Sequence, residues 1–511
     1  MKEPKATKPL QFIRSGKRVS AGALVLALGA CGTIMPEPLT KEELQLIADG
    51  RLSSYVQEDQ EPVSGAIGLY DAMARAIKYN LDREVELKEQ ALRSRELRLS
   101  EFDMLPNLIA SAEYTSRNND PGGRSVPLPD GPDPGGLGTR STERDVTTGD
   151  LTLSWDILDF GISYVRSQQQ ADEVLIALEQ RRAATNRIIE DVRTSYWRAV
   201  SAQRLLGQID ALKAEGERAL AQSRRLVASG EADQTEQLRF QRDILEDLQD
   251  MEAIRRDLSV AKRQLAALMN LPIGSHFHVE LPKRGRHNSQ LEMSAEEMIR
   301  SAMLNRPELR EITYRQRINK REDQVATLEV LPNLELFLGA NFSTNDLLAN
   351  EDWVTTGARS TWNLLRLARL PERRRTVEAG GQLLDARALA LTQAVATQVL
   401  VSRERFKSIH GEYHTSERVL AAQRRLTAQI DREFNAGAAS QQQRVRERYR
   451  LLLAELRSDV AFADMQNAYA NLYASIGLDS YDGDLTGSES VDEMSHVLRK
   501  WWQRRGDRSA S

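Results

Sequence analysis

The chain repeats itself, and that self-similarity constrains its fold more than any local signal. Leu69-Tyr70-Asp71-Ala72-Met73-Ala74-Arg75-Ala76 opens a helical stretch that runs to Leu105-Pro106-Asn107-Leu108. Ala295-Glu296-Glu297-Met298-Ile299-Arg300-Ser301-Ala302 opens a matching stretch that ends in Leu331-Pro332-Asn333-Leu334. Each copy goes on through a tryptophan, in Trp155-Asp156-Ile157-Leu158 and Trp362-Asn363-Leu364-Leu365. Leu331 follows Leu105 by 226 residues, whereas Trp362, Gly437 and Leu478 follow Trp155, Gly230 and Leu271 by 207 each. About nineteen residues are therefore missing from the second copy, where the first carries Asn118 to Gly123 and the Pro/Gly-rich run Pro127 to Gly138, a loop composition.

The best strand candidates flank that loop: Leu108 to Ser116 and Val146 to Trp155 in the first copy, Leu334 to Phe342 and Val354 to Trp362 in the second. Leu151, Leu153 and Trp155 share one face, with Thr152 and Ser154 on the other, the period of a half-buried strand. Each copy thus contributes one hairpin. Four strands do not close a membrane barrel, which starts at about eight, and an open edge in lipid leaves backbone groups unsatisfied. If these strands span a membrane, several chains share one barrel.

Most of the remainder reads as helix. No proline interrupts Phe160 to Gly230, and apolar or small residues recur at Ile189, Val192, Tyr196, Ala199, Leu205, Ile209, Leu212, Gly216 and Ala219, a coiled-coil stripe. About 70 residues make a rod of about 105 Å. Gly230 and Gly437 break both copies at the same place and read as hairpin tips. The returning helix, about Asp233 to Asn270, and the helix before the strands, about Leu69 to Met104, together match the long one. Each long helix is expected to pack beside such a pair.

At the start, Lys2, Lys5, Lys8, Arg14, Lys17 and Arg18 precede a short apolar run from Val19 to Ala30 that stops at Cys31, the only cysteine. The run is about half the roughly 20 residues of a membrane span and reads as a signal peptide. Leu28-Gly29-Ala30-Cys31 resembles the bacterial lipobox, which implies acylation (palmitate) of Cys31, and Gly32 after it implies the outer membrane. A single cysteine leaves no disulfide within the chain. With 28% charged residues, a net charge of −4 and 5% aromatics, the balance does not point to nucleic acid.

Taken jointly, the two Leu-Pro-Asn turns, the two tryptophans that close a strand and enter a long helix, and the two tip glycines followed by Leu238-Arg239-Phe240-Gln241 or Val445-Arg446-Glu447-Arg448 resemble the TolC family of outer-membrane efflux proteins. The likeness is to its lipidated OprM type and runs from Cys31 to about Asp479. The resemblance implies a mainly α chain with a membrane β-barrel portion. By the same resemblance, long antiparallel coiled coils would form a periplasmic tunnel, and four strands per chain would be shared in a trimeric twelve-stranded barrel. It also implies a passive duct in the outer membrane, serving a tripartite efflux or type I secretion system. Its partners would be two further copies, a periplasmic adaptor (membrane fusion protein), an inner-membrane RND or ABC transporter, and outer-membrane lipid.

The tips, with Val227, Gly230, Glu231, Phe434, Gly437 and Ala438, are the expected adaptor-docking surface. Alignment on Gly437 places the family's acidic tunnel-entrance positions at Gln443 and Arg446, neither of them acidic, so a ring of Arg446 would favour anions. The reading divides the chain into a signal peptide (1–30), a lipidated extension (31–68), a first repeat (69–275), a linker (276–292), a second repeat (293–480) and a partly disordered tail (481–511).

No catalytic or cofactor constellation emerges. His410 and His414 stand four apart on a helix, and His276 and His278 sit in the linker, but neither pair has an evident third ligand. Asp479-Ser480-Tyr481-Asp482-Gly483-Asp484 lacks the spaced oxygens and closing glutamate of an EF-hand. Neither a phosphate-cradling Gly-x-x-x-x-Gly-Lys loop nor a Gly-x-Ser-x-Gly elbow occurs. Trp501, Trp502, Arg504 and Arg505 form a basic, aromatic tail. The alternative function is a lipid-anchored coiled-coil lipoprotein without transport activity, but such a spacer has no use for two matched hairpins.

Overall fold

The computed structural model describes residues 37–54, 60–123, 138–230, 233–272, 274–281, 293–478 and 489–503. Cys31, Glu231, the Asp479–Asp484 run, Arg504 and Arg505 lie outside the described residues. The chain divides into two units, Met1–Val56 and Gln57–Ser511. The described part of the first contains α1 (Lys41–Ser54).

The second unit runs in chain order through β1 (Ala66–Ile67), α2 (Leu69–Tyr79), α3 (Leu81–Phe102), β2 (Asn107–Ser116), β3 (Gly122–Gly123), β4 (Thr139–Arg140), β5 (Asp145–Asp156), α4 (Ile157–Ser229) and α5 (Gln234–Leu268). It continues through β6 (His278–Val279), α6 (Ala295–Asn305), α7 (Pro307–Leu328), β7 (Asn333–Ser343), β8 (Asp352–Thr361), α8 (Leu364–Asn435), α9 (Gln441–Ser475) and α10 (Val491–Gln503).

The repeat is written into the helix ends. Asp156 caps α4 by accepting from the Asp159 amide at 2.9 Å, and Asn363, its counterpart, caps α8 through the Leu365 amide at 3.1 Å. After the tips, Asp233 and Ser440 cap α5 and α9 in the same way. Such side chains satisfy amides that a helix start leaves bare. At the far ends, Asn270 and Gly477 both take the left-handed conformation, with φ of 52° and 75°. Glycine is required at Gly477, where a Cβ would come within 2.7 Å of the Asn305 Cβ.

The long helix of the first copy is α4, 73 residues or about 110 Å at 1.5 Å per residue. Every residue of the expected stripe, from Ile189 to Ala219, is buried along it. Each fully buried large aliphatic contributes about 1.5–3 kcal/mol, more than helix propensity supplies at any one position.

The helix expected from Leu69 to Met104 is broken. α2 and α3 meet at Asn80, which is extended and whose Oδ1 accepts from the Asp82 and Arg83 amides at 3.0 and 3.3 Å. In the second copy the break falls at Arg306, before Pro307, whose ring disfavours helix in the preceding residue. The returning helices end in these breaks: Asn80 Nδ2 donates to the Leu268 carbonyl at 3.1 Å, and Ser301 Oγ to that of Ile476 at 3.2 Å. The expected end-to-end pairing of shorter helices beside each long one is formed in this way.

Four strands make one antiparallel sheet in the order β2-β5-β7-β8. The two hairpins are joined by β5 and β7, with Leu151 opposite Ala340 and Trp155 opposite Leu336. The end of the N-terminal extension and the linker also pair, β1 lying parallel to β6.

Within the C-terminal stretch, expected to be partly disordered, 491–503 form a helix. Val491, Met494 and Leu498 of α10 are buried in the same core as Met73, Ile77 and Tyr196. Lys78 Nζ donates to the Glu489 carbonyl at 2.6 Å, and the Trp502 ring sits 6.1 Å from that of Tyr469.

Candidate functional site

Strand alternation gives the sheet two unlike faces. Leu108 and Tyr114 of β2, Leu151, Leu153 and Trp155 of β5, Leu334, Leu336, Leu338 and Phe342 of β7, and Val354 of β8 share one face by register, and all are exposed. A contiguous apolar patch of that extent on one chain marks a surface meant for lipid or protein. The opposite face holds Ser111, Glu113, Asp150, Thr152, Asn341, Glu335 and Arg359. Ser111 Oγ bonds to Asp150, and Arg359 pairs with Glu335 at 3.4 Å. Ile109, Val146, Phe337 and Trp353 are the large apolar residues on this polar side.

Aromatic rings cover glycines in the sheet, and the sequence did not reveal it. A Cβ at Gly149 would run into the Phe342 ring, and one at Gly357 into Phe337. Beyond the sheet, β3 and β4 extend the first hairpin, where Asp120 is bonded to Arg140 at 3.1 Å and Arg144 at 2.8 Å. The hydrogen bond from Arg144 is the main reason the Asp120 carboxyl is lowered to about 2.

β2 and β8 have no neighbour on their outer sides among the described residues. Ten residues in β2 at about 3.3 Å each give about 33 Å, which at a tilt of about 40° spans about 25 Å, the apolar height of an outer-membrane barrel.

At the opposite end of α4 and α8 lie the expected tips. Gly230 closes α4 at φ 71°, its N–H donating to the Val227 carbonyl at 3.3 Å, and Gly437 follows α8 at φ 76°, donating to Phe434 at 3.0 Å. Nothing crowds either glycine, so the left-handed turn alone selects it. Val227 and Phe434 are half-buried and Ala438 is exposed. The Arg444 guanidinium lies 4.5 Å over the Phe434 ring. Gln442 Nε2 donates to Gln237 Oε1 at 2.6 Å, which ties the two tips side by side.

Gln443 is exposed in the first turn of α9, while Arg446 is half-buried and pairs with Asp243 of α5 at 3.4 Å. Arg446 also lies 6.0 Å from the ring of the buried Phe240. Asp243 is held below the usual carboxylate range, chiefly by the hydrogen bond from Arg242, then by the charges of Arg242, Arg446 and Arg450. One turn on, burial pushes Asp247 above it. Nothing local in the chain marks Asp243 and Asp247 as Arg446's surroundings, because the contact joins different repeats.

His410 and His414 approach with Nε2 atoms 3.3 Å apart, and His414 Nδ1 lies 3.5 Å from Glu417. Among the described residues no group of three or more His, Cys, Asp or Glu is placed to hold a metal. No helix there is long and apolar enough to cross a membrane.

Residues 83–271 match the family model described as outer membrane efflux protein. The fold is similar to that of the CmeC outer membrane channel of Campylobacter jejuni at 13% identity and a TM-score of 0.62, over 92% of this chain and 98% of that one. It is also similar to the MtrE outer membrane channel of Neisseria gonorrhoeae at 14% and 0.62, over 83% and 94%. The outer membrane protein VceC of Vibrio cholerae gives 12% and 0.58, over 80% and 96%. No curated protein matches by sequence. The fold is thus that of outer-membrane channels. The match over 83–271 and the likeness of fold both support the resemblance read from the repeat, to TolC-like outer-membrane factors.

Proposed function

We propose that three copies of the chain form a passive duct in the outer membrane of a double-membraned bacterium, with a large periplasmic portion. In this reading the duct serves a tripartite efflux or type I secretion system and opens when a periplasmic adaptor and an inner-membrane pump dock. One observation carries the reading: a sheet apolar on one face and polar on the other, with two open edges, continuing into rods of about 110 Å. In lipid those edges have to be paired, and three four-stranded sheets close a barrel of twelve.

The remaining parts follow from the same assignment. The N-terminal segment is a signal peptide removed before Cys31, which is acylated and anchors the chain to the outer membrane. The tips at Val227, Gly230, Glu231, Phe434, Gly437 and Ala438 meet the adaptor, and Gln443 and Arg446 line the tunnel entrance. With Asp243 at 3.4 Å, Arg446 presents a paired charge and not a bare cation, which weakens any preference for anions. The test is conductance of the detergent-purified protein in planar bilayers. Stepwise, weakly ion-selective currents support the duct, and a protein that inserts without conducting removes it.

A further inference from the structure

Where the strands hand over to the helices, the start of α4, the end of α7 and the start of α8 enclose a pocket of about 400 Å³. Four arginines line it, Arg166, Arg366, Arg369 and Arg373, against two carboxylates, Asp159 and Glu329. The carboxylates do not absorb the positive charge evenly. Arg166 pairs with Glu329 at 3.6 Å, and Arg373 bonds to Glu322 of α7. Arg366 donates at 3.3 Å to the main-chain oxygen of Glu329, which carries no net charge to offset it. Arg369 makes no ion pair or hydrogen bond among the described residues. Two exposed guanidiniums, Arg366 and Arg369, therefore face the pocket without an ion pair among the described residues, and Asp159 is the one lining carboxylate paired with neither.

The depth of the pocket narrows the anion that fits. Asp159 and Arg366 stand three and five residues past the ends of β5 and β8, about 5–8 Å along a helix axis, and Arg369 about 12 Å. The apolar face of the sheet ends at this level in Trp155 and Trp362, both exposed, with Trp362 Nε1 bonded to the Val330 carbonyl. Tryptophans of this kind mark a membrane–water boundary. A headgroup layer lies about 5–8 Å outside the hydrocarbon, so the pocket stands where lipid phosphates stand. Arginine forks match phosphate oxygens two at a time.

We propose that this pocket binds the phosphate of an anionic phospholipid, with Arg366 and Arg369 as its ligands, on the helix side of the barrel. The proposal rests on the outer-membrane reading given above. Acyl chains of the bound lipid would lie toward the apolar face of the sheet and the headgroup against α8, which fixes the height of the barrel in the bilayer.

The test is native mass spectrometry of the detergent-purified full chain titrated with dioctanoyl phosphatidylglycerol, dioctanoyl phosphatidylcholine and inorganic phosphate, for the parent and for R366Q/R369Q. Both arginines are exposed, so the double variant keeps its core. The expected result is saturable phosphatidylglycerol binding that falls at least tenfold in the variant, with phosphatidylcholine weak in both. Equal phosphatidylglycerol binding by parent and variant overturns the proposal. Competition by inorganic phosphate at the same concentration overturns the lipid source in favour of a free anion. Loss of the oligomer in the variant overturns it in favour of a contact with a second copy. Conductance measured on the same samples separates the two ideas, since a variant that conducts normally leaves the duct intact whatever its lipid binding.

Discussion

Adding one methyl group at Gly216 tests how the two repeats pack in the half of α4 nearer the tip. In a helix interior Gly→Ala ordinarily stabilises by about 1 kcal/mol. Gly216 faces α9, however, where a Cβ would fall on the Tyr449 hydroxyl and 2.9 Å from its Cζ. Tyr449 is fully buried, and its hydroxyl donates to the Leu212 carbonyl at 3.0 Å, so the ring has little room to retreat. Overpacking of a core costs about 1–3 kcal/mol and the displaced hydrogen bond about 0.5–1.5. Set against the propensity gain, Gly216→Ala is expected to destabilise this crossing by about 1–3 kcal/mol. Gly207→Ala, on the same helix with open space around it, is the control and should be neutral or stabilising. Tyr449→Phe removes the atom that clashes first, so G216A/Y449F should cost less than the two single changes added together, with a coupling of about 1 kcal/mol. Hydrogen exchange over 205–225 and 445–456 in the purified oligomer reads the local opening free energy. Additive costs, or a Gly216→Ala as harmless as Gly207→Ala, would refute the packing described for α4 against α9.

Cys31→Ser should abolish labelling by a palmitate analogue and lower the yield of correctly placed protein; unchanged labelling would remove the anchor. Gly230→Val or Gly437→Val forces a branched side chain into a left-handed turn, at about 1–2 kcal/mol, and should impair export in a drug-susceptibility assay while oligomer yield stays normal. Normal export by both variants would remove the tip assignment. Beside Arg446, two carboxylates should respond to acid with opposite signs. Asp243, lowered in the folded chain, stabilises above the ordinary carboxylate range, and that stabilisation is lost as pH falls through its folded pKa. Asp247, raised by burial, is strained while charged and is relieved as pH falls through its own higher pKa. Asp247→Asn should therefore stabilise the tip half at pH 7 and lose that advantage in acid. An advantage independent of pH would show that burial is not the cause.

Much of this fold was legible because the repeat carries its own punctuation. The 207-residue offset that aligned Gly230 with Gly437 also aligns the caps Asp156 with Asn363, Asp233 with Ser440, and the left-handed ends Asn270 with Gly477. Helix stripes and strand alternation are local patterns, and the structure keeps both. The breaks at Asn80 and Arg306 were less visible. Pro307 is a signal, but its counterpart Leu81 is an ordinary helix former, so the first copy gives away its break only through a capping asparagine. Three other features depend on contacts distant in the chain: the joining of β5 to β7, the pairing of Arg446 with Asp243, and the docking of α10 on α2. None leaves a periodic trace. The two unlike faces of the sheet were legible in the alternation of its strands, whereas the aromatic cover over Gly149 and Gly357 required knowing which strands are neighbours.

The central claim is that one chain supplies a third of a barrel, and its mass in a membrane-mimetic states this most directly. Native mass spectrometry of the detergent-purified full chain should give a trimer as the dominant species, because β2 and β8 each present an unpaired edge to lipid until a neighbouring copy supplies the other. A monomer that retains its strand content by circular dichroism would contradict the shared barrel.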